Sequence, residues 1–582
     1  MNKFAFILLV MIAVLFGTVA FAESTEGTCG LDLVWKLDPN GVLTISGTGL
    51  MDDYSYWSSE AAPWYSVQDQ IQSVVIEEGV TSVGEYAFYL YYDKLTTVTL
   101  PDSLTVISDN AFEKCESLSA ISMSKNVEMI GSEAFRECKN LRSIALSETL
   151  KKIEDQAFYA CDSLTVLTIP ASVEYISEGS SFSNSNKLTA VNVADENAYY
   201  ASVDGVLYNK DKTILLAYPS GKTDSLFTVP ETVHKINHSA FSYNELIRSI
   251  IVPGSVESID YYAFSNCKNL KSISFSEGLI SLGNGVFSKC STLSSVTFPA
   301  SFQKLGNSVF EECYGLKELL VAEGSGTFKS IDGIMFDYSG KTLVAYPAGR
   351  LQSNYAIPDG VEGIGDCAFY QAKNLLHVTF PDSLLSIGNF SFYNCDQLNE
   401  LTFPKHLVSL GEKAFFYCSS LTSITIPETV RSIDSCAFAY CKKLRDVKIT
   451  GQTSLGFWAF DSCDNLLDVT IMNPNVSFNE YGVFNYCNAS LVIKGLAGST
   501  AEAMAKEKKL QFEAVNFEEE TGQEENNEWT CAECSAVNHG GTFCSECGAK
   551  RPETQVCKNC GYENKDMNYS FKFCPECGTK YE

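Results

Sequence analysis

Eight cysteines near the C-terminus form the clearest metal-binding pattern in the chain. A C-x-x-C turn aims two thiolates at one centre, and two such turns complete the tetrahedral ligand set that zinc prefers. Because four protein ligands leave no open coordination position, we expect two structural zinc ions rather than catalytic ones. The cysteines are Cys531, Cys534, Cys544 and Cys547 in the first module, and Cys557, Cys560, Cys574 and Cys577 in the second.

The two cysteine modules resemble zinc ribbons. Glycine follows three of the four C-x-x-C pairs, at Gly548, Gly561 and Gly578, where it eases a tight turn. An oxidising compartment would favour the alternative, in which each module forms two disulfides. The choice between zinc and disulfides therefore depends on where the protein resides.

The N-terminus predicts export. Residues 1–22 have the pattern of a signal peptide, with Lys3 before an apolar stretch at 4–16 and a small-x-small cleavage site at 20–22. No later stretch is apolar enough to cross a bilayer, so we expect no transmembrane segment in the mature chain. The predicted location is secreted or at the cell surface.

Charge and histidine content exclude several function classes. Acidic residues outnumber basic ones 71 to 42, which gives a net charge of −29. Such a surface repels phosphate backbones, so we expect no nucleic-acid partner. The chain has only five histidines, and none lies in a metalloprotease, nucleophile-elbow or phosphate-loop motif. We therefore expect no enzymatic activity.

A phenylalanine recurs every 22 to 24 residues, with two gaps of 59. Around each of these anchors the pattern is close to I-G-x-x-A-F-x-x-C-x-x-L-x-x-I-x-I-P, and its last apolar residues alternate as in a short strand. One such coil buries too little apolar surface to fold alone, so the coils must stack into a solenoid with a parallel sheet. The anchors are Phe88, Phe112, Phe135, Phe158, Phe182, Phe241, Phe264, Phe287, Phe310, Phe369, Phe392, Phe415, Phe438, Phe460 and Phe484.

The two long gaps are copies of one another. Residues 188–222 align without gaps on residues 316–350, and each copy contains two apolar runs that predict a β-hairpin. We place the hairpin inserts at about 195–228 and 323–356. Tyrosine is common at binding hot spots, so tyrosines of the inserts are the candidate ligand contacts. They are Tyr199, Tyr200, Tyr208, Tyr338 and Tyr355.

The repeat resembles the BspA-like (Treponema pallidum-type) leucine-rich-repeat family over most of the mature chain. The resemblance implies a right-handed leucine-rich-repeat solenoid at 76–495 between an N-terminal cap at 23–75 and a C-terminal cap at 496–517. An acidic linker at 518–528 would lead to zinc ribbons at 529–549 and 555–580.

The resemblance also implies a surface protein that binds host or neighbouring-cell molecules, with adhesion as its role. The partner would be an extracellular protein or glycan. A structural protein that self-associates is the alternative, and a regulator acting through the zinc ribbons is a third possibility.

A second group of cysteines follows the repeat. One cysteine lies three residues after each of eleven anchors, in runs of three, three and five. Odd runs cannot pair completely, and stacked side chains that point the same way are poorly aimed for bridging. We therefore predict a column of buried thiols that act as small apolar side chains.

Hydroxyl side chains mark the exposed side of the predicted sheet, ten residues after most anchors. Such a face could hydrogen-bond a glycan or an extended peptide, but threonine is also a common residue on exposed strands. The residues are Ser122, Thr168, Ser274, Thr297, Thr379, Thr402, Thr425 and Thr470.

Overall fold

The structure is a computed structural model that describes residues 25–55, 61–90, 92–177 and 180–517, together with four short strands between 528 and 564. Its main body is a solenoid of stacked coils. Among these residues, no helix is long and apolar enough to cross a membrane.

The predicted parallel strands form one side of the solenoid, the strand face. In most of these strands the inward residues are buried and the alternating ones face solvent, as in Ser423–Ile426. Neighbouring strands pair in parallel, coil on coil. The strands are Ser73–Ile76, Thr97–Thr99, Ala120–Ser122, Val166–Ile169, Ala190–Val193, Leu226–Thr228, Ser249–Val252, Ser272–Phe275, Ser295–Phe298, Glu318–Val321, Asn354–Ala356, His377–Thr379, Ser423–Ile426, Asp446–Ile449, Asp468–Ile471, Val492–Gly495 and Gln511–Ala514.

A second column of parallel strands precedes the anchors, where the repeat pattern predicted no strand. Most of these strands have two residues, because the glycine or polar residue that follows starts the anchor turn. Each coil therefore contributes to two ladders. The strands are Ser82–Val83, Val106–Ile107, Met129–Ile130, Lys152–Ile153, Tyr175–Ile176, Ile214–Ala217, Lys235–Ile236, Ser258–Ile259, Ser281–Leu282, Lys304–Leu305, Thr342–Ala345, Gly363–Ile364, Ser386–Ile387, Ser409–Leu410, Ser432–Ile433, Ser454–Leu455 and Ser477–Phe478.

The turns that carry the anchors form the opposite side of the coil, the loop face. In the coil of Phe112, the N–H groups of Asn110, Phe112 and Lys114 donate to carbonyl oxygens of the next coil at 2.8–2.9 Å. Asn110 and Lys114 have positive φ angles of 55° and 59°, and most other coils repeat this at the same two positions. A left-handed residue costs about 1–2 kcal/mol, and the hydrogen bonds between coils offset that cost.

The anchor rings stack along the inside of the solenoid. Ring centroids of consecutive anchors lie 4.6–6.3 Å apart, mostly in nearly parallel planes. Trp64 continues the stack at its N-terminal end, 5.3 Å from Phe88, and its Nε1 donates to the Ala87 carbonyl at 2.9 Å. The indole thereby covers the first anchor ring.

Each 59-residue gap contains a complete coil that the phenylalanine pattern did not reveal. Tyr218 stacks on Phe241 at 4.8 Å, and its N–H donates to the next coil as the anchors do. Tyr346 stacks on Phe369 in the same way, also at 4.8 Å. The strands Ile214–Ala217 and Leu226–Thr228 belong to the two solenoid ladders. The extra segment is therefore shorter than the 34 residues that we predicted for each insert.

Each extra segment adds two antiparallel strands to the short-strand ladder. They are Tyr200–Val203 with Val206–Asn209 in the first copy, and Phe328–Ile331 with Ile334–Asp337 in the second. In both copies the second strand also pairs antiparallel with the short strand of the next coil. The result is a three-stranded arrangement instead of a simple two-stranded hairpin.

The second strand of each segment separates two blocks of the hydrophobic core. Leu207 packs into the block that extends back to Cys29, whereas Val206 and Tyr208 pack into the next block. In the second copy, Met335 packs into the second block, whereas its neighbours on the same strand pack into the third. Residues on both faces of these strands are buried. The two strands are thus internal partitions of the solenoid.

Both ends of the solenoid are capped. At the N-terminus, the antiparallel strands Glu26–Gly30, Leu33–Leu37 and Val42–Gly47 lead into the parallel sheet, and a short 3-10 helix follows at Tyr65–Gln70. At the C-terminus lies the helix Thr500–Lys508.

The C-terminal helix begins as its sequence predicts. The N–H of Glu502 donates to the Ser499 hydroxyl at 3.4 Å, and the Glu502 carboxylate accepts from the Gly498 N–H at 2.7 Å. The Ser499 hydroxyl thus caps the helix as that spacing predicts, although the glutamate reaches back to the Gly498 N–H and not to the Ser499 N–H of a full capping box.

Candidate binding surfaces

Three of the five predicted tyrosine contacts reach the surface. Tyr199 is 50% exposed and Tyr338 is 61% exposed. Tyr200 is half-buried, and its hydroxyl accepts a hydrogen bond from the Ile176 N–H at 2.8 Å. That bond ties the extra strand to the end of the preceding ladder, so Tyr200 has a structural role.

The other two tyrosines are buried, which corrects the predicted set of ligand contacts. Tyr208 is 2% exposed because it lies on the partition strand, within the second core block. Tyr355 is 8% exposed, and its ring packs 5.2 Å from Tyr346 and 6.1 Å from Phe369. Neither ring offers a free surface to a ligand.

The strand face carries the predicted hydroxyl side chains, and nearly all of them are exposed. Ser249 and Ser272 hydrogen-bond to each other across neighbouring strands at 2.8 Å. Towards the C-terminus the face becomes charged, with an ion pair between Lys494 and Asp468. The hydroxyl positions alternate with buried ones along each strand, as exposed strand residues do. They therefore require no ligand to explain them.

The loop face of the last six coils carries a surface that sequence reasoning missed, the aromatic ridge. Its members lie three or two residues before an anchor, or one or two residues after it. Four are well exposed: Tyr417 at 39%, Trp458 at 38%, Tyr481 at 70% and Tyr486 at 82%. The ridge comprises Tyr370, Phe390, Tyr393, Phe416, Tyr417, Tyr440, Phe457, Trp458, Tyr481 and Tyr486.

The rings of the ridge contact one another from coil to coil. Tyr370 stacks on Tyr393 at 4.8 Å, and Tyr393 stacks on Phe416 at 5.3 Å. Tyr417 then lies 4.7 Å from Tyr440. Because stacking within the ridge occupies the ring faces, the inner rings can present only their edges to a partner. Edges and phenol hydroxyls suit a protein surface better than the flat stacking that a sugar ring requires.

A signal for the ridge was present in the sequence. When the coils are aligned on their anchors, every one of the last six carries at least one aromatic residue at these four loop positions, whereas several earlier coils, such as those of Phe112 and Phe135, carry none. The anchor pattern identifies positions that stay the same from coil to coil, and these are the buried columns. It does not identify a surface whose residues differ from coil to coil.

The cysteine column is confirmed as a set of reduced, buried thiols. Ten of its eleven members are free and fully buried, and Cys487 at the end of the last run is free and half-buried. Each thiol donates a hydrogen bond to the carbonyl oxygen of the anchor phenylalanine in the preceding coil, at 2.9–3.3 Å. The column thus gives a hydrogen-bond donor to the buried carbonyl of eleven anchors, which a plain apolar residue could not do.

Burial raises the pKa of these thiols. The pKa of Cys267 and that of Cys395 rise to about 12, because desolvation disfavours the thiolate. Only the thiolate attacks thiol reagents. At pH 10, an aromatic disulfide reagent should therefore leave the column unmodified in the native protein, while guanidinium-unfolded chains react within minutes. Rapid labelling of Cys290 in the native state, located by peptide mass spectrometry, would contradict the buried column.

Two sets of predicted features lie outside the described residues. These are the signal peptide at 1–22 and the eight C-terminal cysteines from Cys531 to Cys577. Within the described ranges, no group of three or more histidine, cysteine, aspartate or glutamate side chains could hold a metal ion. The zinc sites therefore stay predictions.

Comparison with known families now decides the class of the solenoid. The profile of the BspA type leucine-rich repeat region, which holds six copies, matches residues 64–189, 221–342 and 352–491. The chain belongs to the BspA-type leucine-rich repeat family. The first break contains the two extra antiparallel strands of the first copy, whereas those of the second copy lie within the matched residues 221–342. Membership in this family supports a role in protein–protein interaction.

Solved structures show similar repeat proteins. A leucine-rich repeat protein from Eubacterium ventriosum is 27% identical, with a TM-score of 0.48, over 69% of this chain and 96% of that one. The pneumococcal vaccine antigen PcpA is 18% identical, with a TM-score of 0.41, over 85% of this chain and 99% of that one. A leucine-rich cell surface protein from Faecalibacterium prausnitzii is 23% identical, with a TM-score of 0.38, over 78% of this chain and 96% of that one. No curated protein sequence matches the chain.

Proposed function

We propose that this BspA-type protein is exported and binds other proteins at the cell surface or outside the cell, with adhesion as its role. The observation that carries the proposal is the aromatic ridge. Binding hot spots are rich in tyrosine and tryptophan, and the ridge places both on exposed positions of adjacent coils. The signal-peptide pattern at residues 1–22 supports export.

The chemistry of the ridge favours a protein partner. Lys413 lies 5.0 Å from the centre of the Phe390 ring and is paired with Glu412 at 2.9 Å. Lys442 lies 5.0 Å from the Tyr440 ring and pairs with Asp464. The ridge therefore combines apolar ring edges with charges that are already balanced. An apolar centre with a polar rim is the arrangement of protein interfaces.

A triple variant of the full chain tests the ridge. We expect Tyr417→Ser, Trp458→Ser and Tyr486→Ser together to weaken binding to immobilised extracellular-matrix proteins or intact cells by about 100-fold, which corresponds to about 2.7 kcal/mol. Surface plasmon resonance and a cell-binding assay would measure this loss. The thermal midpoint should change little, because all three side chains are more than a third exposed.

The matched control alters the strand face instead. Changing Thr379, Thr402 and Thr425 to alanine also removes exposed side chains from three coils, and we expect binding to stay within twofold of the parent chain. If the threonine variant loses binding and the ridge variant retains it, the binding surface is the strand face. If neither the parent nor the variants bind any such protein or cell, adhesion is rejected.

Self-association is the second candidate function. The stacked rings of the ridge could also pack against a second copy of the chain. Sedimentation velocity over a hundredfold concentration range separates the two. Concentration-dependent assembly that the ridge variant abolishes, together with no binding to matrix proteins or cells, would favour the structural role.

We propose in addition that the C-terminal cysteines hold two structural zinc ions. Cys531 and Cys534 follow directly on Glu528–Thr530, which pairs antiparallel with Val537–His539. In the second module, Gln555–Val556 and Glu563–Asn564 pair in the same way on either side of a C-x-x-C sequence. A C-x-x-C pair between two antiparallel strands supports the knuckle of a zinc ribbon, and the four-thiolate donor set suits zinc.

Metal analysis of the exported protein tests the zinc proposal. We expect about two zinc ions per chain and the release of eight reactive thiols from the tail when a strong chelator removes them. Changing Cys544 to serine should reduce the zinc content by one ion. No zinc together with no free thiol in residues 531–577 would show that the cysteines form disulfides.

A further inference from the structure

A cleft of about 430 Å³ opens on the loop face near the first 59-residue gap, well before the aromatic ridge in the sequence. Its lining is rich in hydroxyl groups, with five serines and three tyrosines among fourteen residues. The volume falls within the range of small-molecule sites, about 300–1,000 Å³. No part of the binding role proposed above uses it.

The cleft has a definite origin in the sequence. The residue directly after the anchor is Ser242, Ser265 and Ser288 in three consecutive coils. The same position carries a large side chain at Tyr159, three coils before Ser242, and at Glu311, one coil after Ser288. Small residues between large ones leave a depression, and Tyr159 and Glu311 line its ends.

The contact between the loops on the two sides of the first gap also shapes the cleft. The Ser183 hydroxyl donates to the Ser239 carbonyl at 3.3 Å, so the loops on the two sides of the gap meet directly. Tyr159 contacts Tyr243 across the same junction, with ring centroids 5.7 Å apart. The loop face is therefore continuous there although a whole coil intervenes, and two tyrosine rings form one wall.

A buried hydroxyl in the cleft is unsatisfied. Ser242 is 3% exposed, and its Oγ has no hydrogen-bond partner, although it lines the cleft. Its neighbours are partly engaged, since Ser265 accepts from Asn266 at 3.0 Å and Ser288 donates to Glu311 at 3.2 Å. Buried polar groups without a partner are uncommon. The Ser242 hydroxyl can both donate to and accept from a ligand.

The Arg136 and Lys289 cations that line the cleft already have carboxylate partners. Arg136 forms ion pairs with Glu133 and Glu137, and Lys289 lies 4.0 Å from Glu312. A phosphate or sulfate would have to compete with these carboxylates for the cations. The lining therefore suits a neutral ligand.

An extended peptide is also a poor fit. An extended peptide binds by adding to an exposed backbone edge, but on the loop face the N–H groups at the anchor turns donate to the next coil. In the coil of Phe264, for example, Tyr262, Phe264 and Asn266 all donate to the following coil at 2.8–3.0 Å. Recognition in the cleft must therefore come from side chains.

We propose that this cleft binds a short neutral saccharide. Sugar hydroxyls both donate and accept, as serine and tyrosine hydroxyls do, and the carbon–hydrogen face of a sugar packs against an aromatic ring. Tyr262 supplies such a ring. It is 46% exposed and lies over Gly285, where a Cβ atom would come within 2.3 Å of its Cε1 atom.

Two substitutions alter the cleft without disturbing the coil. Ser265→Tyr fills it, and the fold already accepts tyrosine at the same loop position in Tyr159, Tyr370 and Tyr393. Gly285→Asn displaces the Tyr262 ring. The backbone there has a φ of 62°, and Asn110 adopts 55° at the equivalent position of another coil. Asparagine is therefore compatible with that backbone.

A glycan array probed with the full-length protein tests the proposal. We expect binding to at least one neutral oligosaccharide, an affinity at least tenfold lower for Ser265→Tyr and for Gly285→Asn, and no change for Ser274→Tyr on the strand face. Thermal unfolding of each variant would show whether it is folded.

Three outcomes would overturn the proposal. They are no binding to any neutral saccharide at millimolar concentration, a preference for acidic saccharides, and full affinity in a folded Ser265→Tyr variant. The triple ridge variant should retain saccharide binding, so failure of the protein-binding role and failure of the saccharide site can be told apart.

Discussion

Changing Phe415 to alanine should destabilise its block of the solenoid by about 3–5 kcal/mol. The ring is fully buried, with Phe392 at 5.0 Å on one side and Phe438 at 5.1 Å on the other. Its loss leaves a cavity between two rings that the rest of the coil holds apart. Guanidinium unfolding followed by circular dichroism would measure the change.

Two further variants separate packing from other effects at this position. Phe415→Leu restores part of the buried volume and should recover about half of the lost stability. Thr425→Ala lies in the same repeat on the exposed strand face and should change the stability by less than about 0.5 kcal/mol. Equal losses in Phe415→Ala and Thr425→Ala would show that the ring stack does not hold the coils together.

The second large effect concerns the partition strand. Changing Leu207 to aspartate should cost about 5 kcal/mol, because it removes a buried side chain and places a carboxylate in an apolar core. Leu207 is fully buried in the first core block, whereas Val206 and Tyr208 beside it belong to the second. We expect unfolding to separate into two transitions, since the substitution weakens the junction of two blocks.

Val203→Asp is the matched control for this variant. Val203 lies in the same pair of extra strands and is 38% exposed, so a charge there stays in water. We expect a change of less than about 1 kcal/mol and a single transition like that of the parent chain. If Leu207→Asp behaves like Val203→Asp, the strand does not couple the two blocks.

Because the partition strands fill the core, deleting an extra segment is a poor test of its role in binding. Removing Val206–Asn209 would delete side chains that fill two core blocks. Loss of binding after such a deletion would reflect unfolding as readily as the loss of a contact. Substitution of the exposed Tyr199 or Tyr338 is the sharper test of a binding role for these segments.

Much of the fold follows from local sequence. The 23-residue period, the buried anchors, the thiol column and the Ser499–Glu502 cap were all predictable, because each depends on residue spacing within one coil or one turn. The second ladder was harder to foresee. Its strands have only two residues, too few for an alternating pattern to identify.

The coils anchored by Tyr218 and Tyr346 depart from the phenylalanine pattern, which is why that pattern did not predict them. In each, an Ala-Tyr-Pro sequence replaces the usual Ala-Phe, and glycine replaces the column cysteine three residues later. The tyrosine ring stacks as phenylalanine does, so the fold tolerates the exchange. Because the sequence pattern did not show these coils, it placed Tyr208 and Tyr355 on exposed hairpins.

The sequence by itself determined the family, the repeating coil and the buried columns, because these depend on spacing that every coil repeats. Only the tertiary structure decided the surfaces, because a surface joins residues of different coils that lie from 23 to 84 positions apart and that differ from coil to coil. The ridge exists because stacking brings Tyr393, Phe416 and Tyr440 together. The cleft exists because the loops on either side of an inserted coil meet, so that Tyr159 reaches Tyr243.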